Sequence, residues 1–382
     1  MKILAADDQP LILKSISNKL QSSGYEVFCA GNGKDAIRLY DEHQPDLVIT
    51  DLGMPVVTGV EVIHHIRNVK KQDTPIIVMS GREDEDTIVN AFKMGVDDYI
   101  EKPVGVKEVQ VRIQRLFKHA PLLPFTEAVA DNHVTRTIQK KCIGVVIPCY
   151  NEERRLLTKE FSDFVYSNLG YHLCFVNDGS KDNTLAVLES LSRGHEDSIS
   201  VYNCPVNGGK AEAVRQGMLH LAKDEQFDYI GYLDADLSTD FKDFDELVKT
   251  IESSSFKIVS GSRISRMGAN ITKNSAREII SKAINMLIRR ILGMSFQDTQ
   301  CGAKVMTREV AENVFNKKFI TRWLFDVEIF LRMKKYYGEK DVQDLICEQP
   351  LKRWIHADGS KLSMKDSLKI VSQLGHIAIH YR

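Results

Sequence analysis

The chain has 382 residues, with 51 Lys+Arg against 52 Asp+Glu and a formal net charge of −1. That length exceeds one ordinary domain, and that balance speaks against a protein that coats a polyanion, so two globular domains are expected. Hydrophobic residues make up 43% and aromatics 8%, enough for packed cores, which excludes wholesale disorder and fibrous repeats. The opening MKILAADDQP meets acids where a signal peptide needs an apolar stretch, and no apolar run approaches the length of a membrane span. The chain is therefore read as cytoplasmic. Its 7 cysteines (Cys29, Cys142, Cys149, Cys174, Cys204, Cys301 and Cys347) are scattered and never spaced CxxC, so neither a disulfide framework nor a zinc site is expected. They read as reduced apolar filler.

From the amino terminus, apolar β-rich runs alternate with helix-period segments: KILAAD, YEVFCA, DLVITD, PIIVMS and DDYIEK. Five such βα units over residues 1–118 predict a parallel sheet covered on both faces. Residues 119–141, with two prolines and no clear period, read as a linker. A second series follows over 142–350: CIGVVIPCY, HLCFVND, ISVYNCP, YIGYLDAD and FKIVSGS, separated by helical patterns such as KAEAVRQGMLHLAKD. It predicts a second, larger α/β sheet. The segment 351–382 carries Lys352, Arg353, Lys361, Lys365, Lys369 and Arg382 against Asp358 and Asp366, with Leu368, Val371, Leu374 and Ile377 at three-residue spacing. That is one apolar helical face flanked by positive charge, suited either to an anionic membrane surface or to packing on its own domain.

In an open parallel sheet, ligands sit beyond the carboxyl ends of the strands, where the first series places Asp7 and Asp8, Asp51, Ser80 and Lys102. Carboxylates gathered so closely repel one another unless a divalent cation neutralises them, so a hard oxygen site for Mg²⁺ is expected. Asp51 could then attack a phosphoryl group whose charge Lys102 and the metal share, with Ser80 bonding the phosphate oxygens. DD at Asp7 and Asp8, VITDLGMP around Asp51, VMSG at Ser80 and DYIEKP around Lys102 resemble the receiver domain of bacterial response regulators. The resemblance implies a flavodoxin-like (βα)5 fold and phosphorylation of Asp51 by a sensor histidine kinase. It further implies Mg²⁺ held by Asp8, Asp51 and the Gly53 carbonyl with help from Asp7, and a switch formed by Ser80, Tyr99 and Lys102. It also implies a homodimer through the face made by the fourth helix, fifth strand and fifth helix.

In the second series, LDAD sets Asp234 and Asp236 two residues apart after an apolar run, where alternate positions can aim both at one diphosphate-bound cation. Alone the spacing is weak. Its company strengthens it: VVIPCYNEE at the first strand, FVNDGSKDNT at the second and NGGKAEAVRQGM before the fourth. Asp178 ends a strand where it could accept from a base edge, and Gly208 and Gly209 let backbone approach a ligand before Lys210.

Together with SGSR, DTQCGAKVMTR, TRWLFDVEIFLR and WIHADGSKL, these segments resemble family 2 inverting glycosyltransferases of the GT-A (Rossmann-like) fold, in particular the dolichyl-phosphate glucosyltransferase and mannosyltransferase group. The resemblance assigns Pro148, Tyr150, Asn151, Glu152, Asp178 and Lys210 to the nucleotide of a UDP-sugar, and Asp234 and Asp236 to Mg²⁺ or Mn²⁺. It implies a polyprenyl-phosphate acceptor, whose phosphate Arg263, Arg277 and Lys361 are suited to hold. Asp298, Gln300, Asp326 and Glu328 could orient sugar hydroxyls, and a structural ion pair or strand-end turn is the competing reading for Asp326 and Glu328. Trp323 and Trp354 could stack on sugar or acyl groups, or serve as core. Arg322 and Trp323 share the last two letters of a QxxRW signature of processive synthases, but Phe319 stands where the Gln would be.

The function expected is a phosphorylation-regulated inverting hexosyltransferase that moves glucose from UDP-glucose to a polyprenyl phosphate, cytoplasmic or peripheral on the inner membrane face. The alternative is a non-catalytic nucleotide-sugar sensor or scaffold. The neutral charge and the absence of a helix-turn-helix module after residue 118 give no support to a nucleic-acid partner.

Overall fold

Runs of branched apolar residues every 20 to 30 positions place parallel strands at the centre of the amino-terminal unit. The computed structural model describes residues 1–81, 85–117, 137–263, 270–271, 275–354 and 364–381. It divides into two compact units, Met1–Cys142 with Ser162–Tyr171, and Ile143–Phe161 with His172–Arg382.

The first unit runs β1 (Lys2–Ala6), α1 (Pro10–Ser22), β2 (Glu26–Ala30), α2 (Gly33–His43), β3 (Leu47–Thr50), α3 (Gly59–His64, continued by a π-helical turn His65–Val69), β4 (Ile76–Ser80), α4 (Glu85–Lys93), β5 (Asp98–Glu101), a short β6 (Val104–Gly105) and α5 (Val106–Leu116). The sheet order is β2-β1-β3-β4-β5, every pairing parallel. All of β3 and β4 is buried, as strands covered on both faces must be. Helix starts are chemically marked: Pro10 opens α1, Asn32 caps α2, and Thr58 with Glu61 forms a capping box on α3. Leu4, Val48, Ile63, Ile66, Ile76 and Val78 share one core cluster.

The second series of elements is β7 (Thr137–Cys149), α6 (Thr158–Ser167), β8 (Asn168–Asp178), α7 (Thr184–Ser192), β9 (Ile199–Cys204), α8 (Lys210–Ala222), β10 (Tyr229–Leu233), α9 (Phe241–Glu252), β11 (Ile258–Ser262), β12 (Asn270–Ile271), α10 (Ser275–Leu292), β13 (Ala303–Thr307), α11 (Arg308–Phe315), α12 (Phe325–Tyr337), β14 (Ile346–Pro350), β15 (Arg353–Trp354) and α13 (Met364–His380). The main sheet orders them β14-β11-β13-β10-β7-β8-β9. Strand β13 is antiparallel to both β10 and β11, whereas β10 is parallel to β7 and β11 to β14. Both units are therefore α/β, as the alternating pattern predicts. Strand β7 opens at Thr137, inside the stretch read as linker, whose residues 119–136 lie outside the described residues.

Of the two roles open to the carboxyl-terminal apolar face, the described residues support packing on its own domain. Leu374 and Ile377 are fully buried, while Val371 is 49% exposed, and the Leu368 side chain lies outside the described residues. Helix α13 packs against α10, and beyond its end the Tyr381 hydroxyl donates to Glu328 Oε2 at 3.1 Å while accepting from Arg332 Nε at 2.9 Å. Two residues of the apolar stripe therefore fill the protein's own core and are not offered to lipid. Among the described residues no helix is long and apolar enough to cross a membrane.

Candidate functional sites

Four strand ends of the first unit converge on one acidic pocket. Lys102, fully buried, places its ammonium 2.5 Å from Asp7 Oδ2 and 3.1 Å from Asp51 Oδ2. Ser80 Oγ donates to Asp51 Oδ1 at 2.7 Å, and the Gly53 amide donates to the same oxygen at 3.2 Å. One carboxylate oxygen from each of Asp7, Asp8 and Asp51 lies within 4.8 Å of the others. Burial, and then the neighbouring Asp51 charge, push Asp7 and Asp8 above the usual carboxylate range. For Asp51 burial acts the same way, but Lys102, Ser80 and the Gly53 amide outweigh it and hold that carboxyl below its usual value. Lys102 offsets only part of the charge of these three hard oxygen donors, and the set fits a Mg²⁺ ion. Tyr99 donates its hydroxyl to the Gly81 carbonyl at 3.2 Å, so it is tied to the residue after Ser80. Beside it, Arg112 and Arg115 both pair with Asp98, and Phe92 of α4 and Val111 of α5 are 46% and 56% exposed.

In the second unit, the loops after β7 and β8 are laced together. The Asn151 amide donates to Ser180 Oγ at 3.1 Å, the Lys181 amide to Asn151 Oδ1 at 2.9 Å, and the Glu152 amide to Thr184 Oγ1 at 2.8 Å. Asn151 takes the left-handed backbone that asparagine tolerates, with φ of 53°. Burial pushes the Glu152 carboxyl up; Arg155 opposes this, and the charges of Asp236 and Asp182 add to it. Pro148 is half-buried and Tyr150 is 40% exposed.

Asp178 is buried at the end of β8 and engaged with the loop between β9 and α8: it accepts from the Gly208 amide at 2.7 Å, the Gly209 amide at 2.9 Å and Asn207 Nδ2 at 3.0 Å. Gly209, with φ of 84°, then starts α8 and brings the Lys210 ammonium to 2.5 Å from Asp234 Oδ1. Burial would lower that ammonium's pKa, but Asp234, then Asp326 and Asp236, raise it on balance. Asp236 is exposed and accepts from the Ser238 amide at 2.9 Å. Two carboxylates at a strand end suit Mg²⁺ or Mn²⁺, which completes its shell with substrate phosphates and water.

Arg263 and Asp298, read from sequence as separate contacts to phosphate and sugar, are bonded to each other. Arg263 Nε lies 2.6 Å from Asp298 Oδ2, and its backbone amide donates to the same carboxylate at 2.9 Å. Glu348 braces the pair from β14, accepting from the Asp298 amide at 2.6 Å, and the Gln300 amide donates to Asp298 Oδ1 at 3.2 Å. Asp326 accepts from Tyr232 and Lys304. Glu328, fully buried, accepts from the Ile320 and Thr321 amides, the Thr321 hydroxyl and Tyr381, so it holds a loop rather than facing a cleft. Trp323 is 74% exposed. The side chain of Arg277 and the whole of Lys361 lie outside the described residues, as does the Trp354 side chain.

Sequence reasoning missed Lys304, Tyr232 and Glu348, whose positions come from strand pairing rather than from a motif. It also missed Arg322 as a site residue: its alkyl chain lies over Gly209 and its charge acts on Asp178.

The response regulator receiver domain family matches residues 3–114, and glycosyl transferase family 2 matches residues 144–315. The dolichyl-phosphate beta-glucosyltransferase ALG5A of Trichomonas vaginalis is 33% identical over 63% of this chain and 74% of its own length. This chain belongs to glycosyl transferase family 2 and carries a receiver domain. The dolichyl-phosphate beta-glucosyltransferase of Drosophila melanogaster is 32% identical over 62% of this chain and 76% of its own. A crystal structure of a receiver domain protein from Clostridium thermocellum is 30% identical, covers 31% of this chain and 94% of its own, and gives a TM-score of 0.29.

Proposed function

We propose that this family 2 enzyme transfers a hexose, glucose first among candidates, from a UDP-sugar to a polyprenyl phosphate with inversion at the anomeric carbon, and that phosphorylation of Asp51 sets its rate. The observation that carries this is the Lys210–Asp234 contact at 2.5 Å, next in the chain to the Gly209 amide that donates to Asp178. A cation beside a pair of hard carboxylates supports this reading, because that is the charge set a departing nucleoside diphosphate needs. Relatives named for glucosyl transfer to dolichyl phosphate support the sugar and acceptor classes.

The nucleotide would lie along Pro148, Tyr150, Asn151, Glu152 and Asp178, with its diphosphate toward Lys210. Asp234 and Asp236 would hold Mg²⁺ or Mn²⁺, which supplies positive charge to the departing diphosphate. As the bond from the anomeric carbon to UDP breaks, an acceptor phosphate oxygen forms the new bond. That phosphate is already anionic at neutral pH, so positioning matters more than proton removal. The Arg263–Asp298 pair would line the acceptor side with Arg277 and Lys361, while Gln300 would face the sugar; Asp326, buried, is taken up by Tyr232 and Lys304.

In the receiver, Asp8, Asp51 and the Gly53 carbonyl would hold Mg²⁺ with Asp7 assisting, and this ion would offset the charge of the incoming phosphoryl group. Asp51 would take that group from a sensor histidine kinase. Lys102 and Ser80 already bond the Asp51 carboxylate, so the new phosphate would compete for both and loosen the Tyr99–Gly81 contact. The α4–β5–α5 face would serve as a dimer contact, and the lipid acceptor would bring the protein to the inner membrane surface.

The purified full chain, given UDP-glucose, Mn²⁺ and a short polyprenyl phosphate, is expected to release UDP and form glycolipid. Acetyl phosphate should change the rate, and Asp51→Asn should abolish that change. UDP-sugar binding without release under every acceptor condition would instead favour the sensor.

A further inference from the structure

Tyr232 and Lys304 are cross-strand partners in the antiparallel pairing of β10 with β13, and both side chains are fully buried. Both converge on Asp326 Oδ1 in the first turn of α12: the Tyr232 hydroxyl donates to it, and the Lys304 ammonium lies 2.6 Å away. The same ammonium donates to the Cys301 carbonyl at 2.7 Å. A lysine taken wholly out of water is costly unless its charge and protons are matched, and Asp326 and the Cys301 carbonyl are the groups that meet it.

The peptide beyond that carbonyl is the one that backs the LDAD motif. The Asp234 amide donates to the Gly302 carbonyl at 3.1 Å, and Gly302 lies so close to the Asp234 carboxylate that a side chain there would collide with it. On the other side of Asp234, Lys210 is 2.5 Å away and is acted on by Asp326 as well. One buried ammonium thus ties the loop under Asp234 to the acid beyond it.

We propose that Lys304 is a positioning residue of the donor site: by bridging Asp326 and the Cys301 carbonyl it fixes the Gly302 peptide, and with it the direction in which Asp234 presents its carboxylate to a metal-bound diphosphate. The inference rests on the nucleotide-sugar reading above. An ion pair that served only the fold would have no preference for a metal-dependent ligand.

The test uses the full chain and calorimetric binding of UDP with and without Mn²⁺, which needs no acceptor. Lys304→Met removes the ammonium at similar volume, and Lys304→Met combined with Asp326→Asn removes both charges. Lys304→Met is expected to weaken Mn²⁺-dependent UDP binding about tenfold or more, the usual effect of losing a group that orients a metal ligand, while metal-free UDP binding changes less than about twofold. The double variant should recover melting temperature without recovering the metal-dependent affinity. Should Lys304→Met fail to fold, Tyr232→Phe, which deletes one hydroxyl, is expected to shift the same ratio by a few-fold. Folded variants that bind Mn²⁺-UDP like the wild type, or that lose affinity equally with and without metal, would overturn the proposal. Wild-type protein that binds no UDP under either condition would overturn the donor reading itself, and this inference with it.

Discussion

A Cβ on Gly302 would stand 2.0 Å from Asp234 Oδ2 and 2.7 Å from Oδ1, so only glycine lets the loop before β13 lie against that carboxylate. Gly302→Ala must displace Asp234, because the flanking peptide is held by the Asp234 amide. Overpacking of this kind costs about 1–3 kcal/mol. A moderate loss of stability in urea is expected, together with loss of Mn²⁺-dependent UDP binding. A variant with unchanged UDP affinity would show that the loop does not set the carboxylate.

Lys102 is the counter-charge of the receiver pocket. It touches both Asp7 and Asp51, and Asp7 is already pushed toward its neutral form by burial. Lys102→Met would leave these acids unmatched, at about 3–5 kcal/mol for a broken buried pair. Mg²⁺ binding should return part of that loss, so the variant's urea midpoint should rise with added Mg²⁺ more steeply than that of the wild type. Equal Mg²⁺ responses would place the cation elsewhere.

The alternation of apolar strands and helical segments made both sheets legible from sequence, because parallel strands buried on both faces must be written as short apolar runs. The five strands of the first unit's parallel sheet each fall within their predicted segment, from KILAAD at β1 to DDYIEK at β5. Strands β13 and β14 were not legible as strands, since AKVMT and ICEQP carry polar side chains whose partners lie far along the chain: Lys304 answers Asp326, and Glu348 answers Asp298. The same holds for the site. LDAD and NDGS announce themselves by spacing, whereas the pairing of Arg263 with Asp298 spans 35 positions and leaves no local signature.

Glu328 offers a contrast with the donor-site acids. Its carboxylate closes the loop before α12 through the Ile320 and Thr321 amides and is reached by the Tyr381 hydroxyl beyond α13. Glu328→Gln would turn one acceptor into a donor facing these N–H groups. The cost expected is about 1–3 kcal/mol for a buried polar group left unsatisfied. Chemical denaturation should show this loss while UDP affinity in the folded variant stays at the wild-type value. A selective loss of UDP-sugar binding would instead make Glu328 a ligand contact.

The Arg263–Asp298 pair sets an acid limit on stability. Burial pushes the Asp298 carboxyl up, but Arg263, through its side chain and its backbone amide, outweighs burial and holds it below the usual range. A carboxyl unfolded at about pH 3.9 and titrating lower when folded stabilises the protein at pH values above the unfolded figure. That contribution fades as pH falls through the folded value. Asp298→Asn mimics the protonated acid, so the gap in unfolding free energy between wild type and variant should be constant from neutral pH down to about pH 5. It should then narrow as the medium becomes more acidic than about pH 4. Urea titrations at a series of pH values read this gap directly, and because other carboxyls titrate alike in both proteins, their effects cancel. A gap that persists unchanged to the lowest pH at which both proteins fold would mean that Asp298 is not ionised against Arg263.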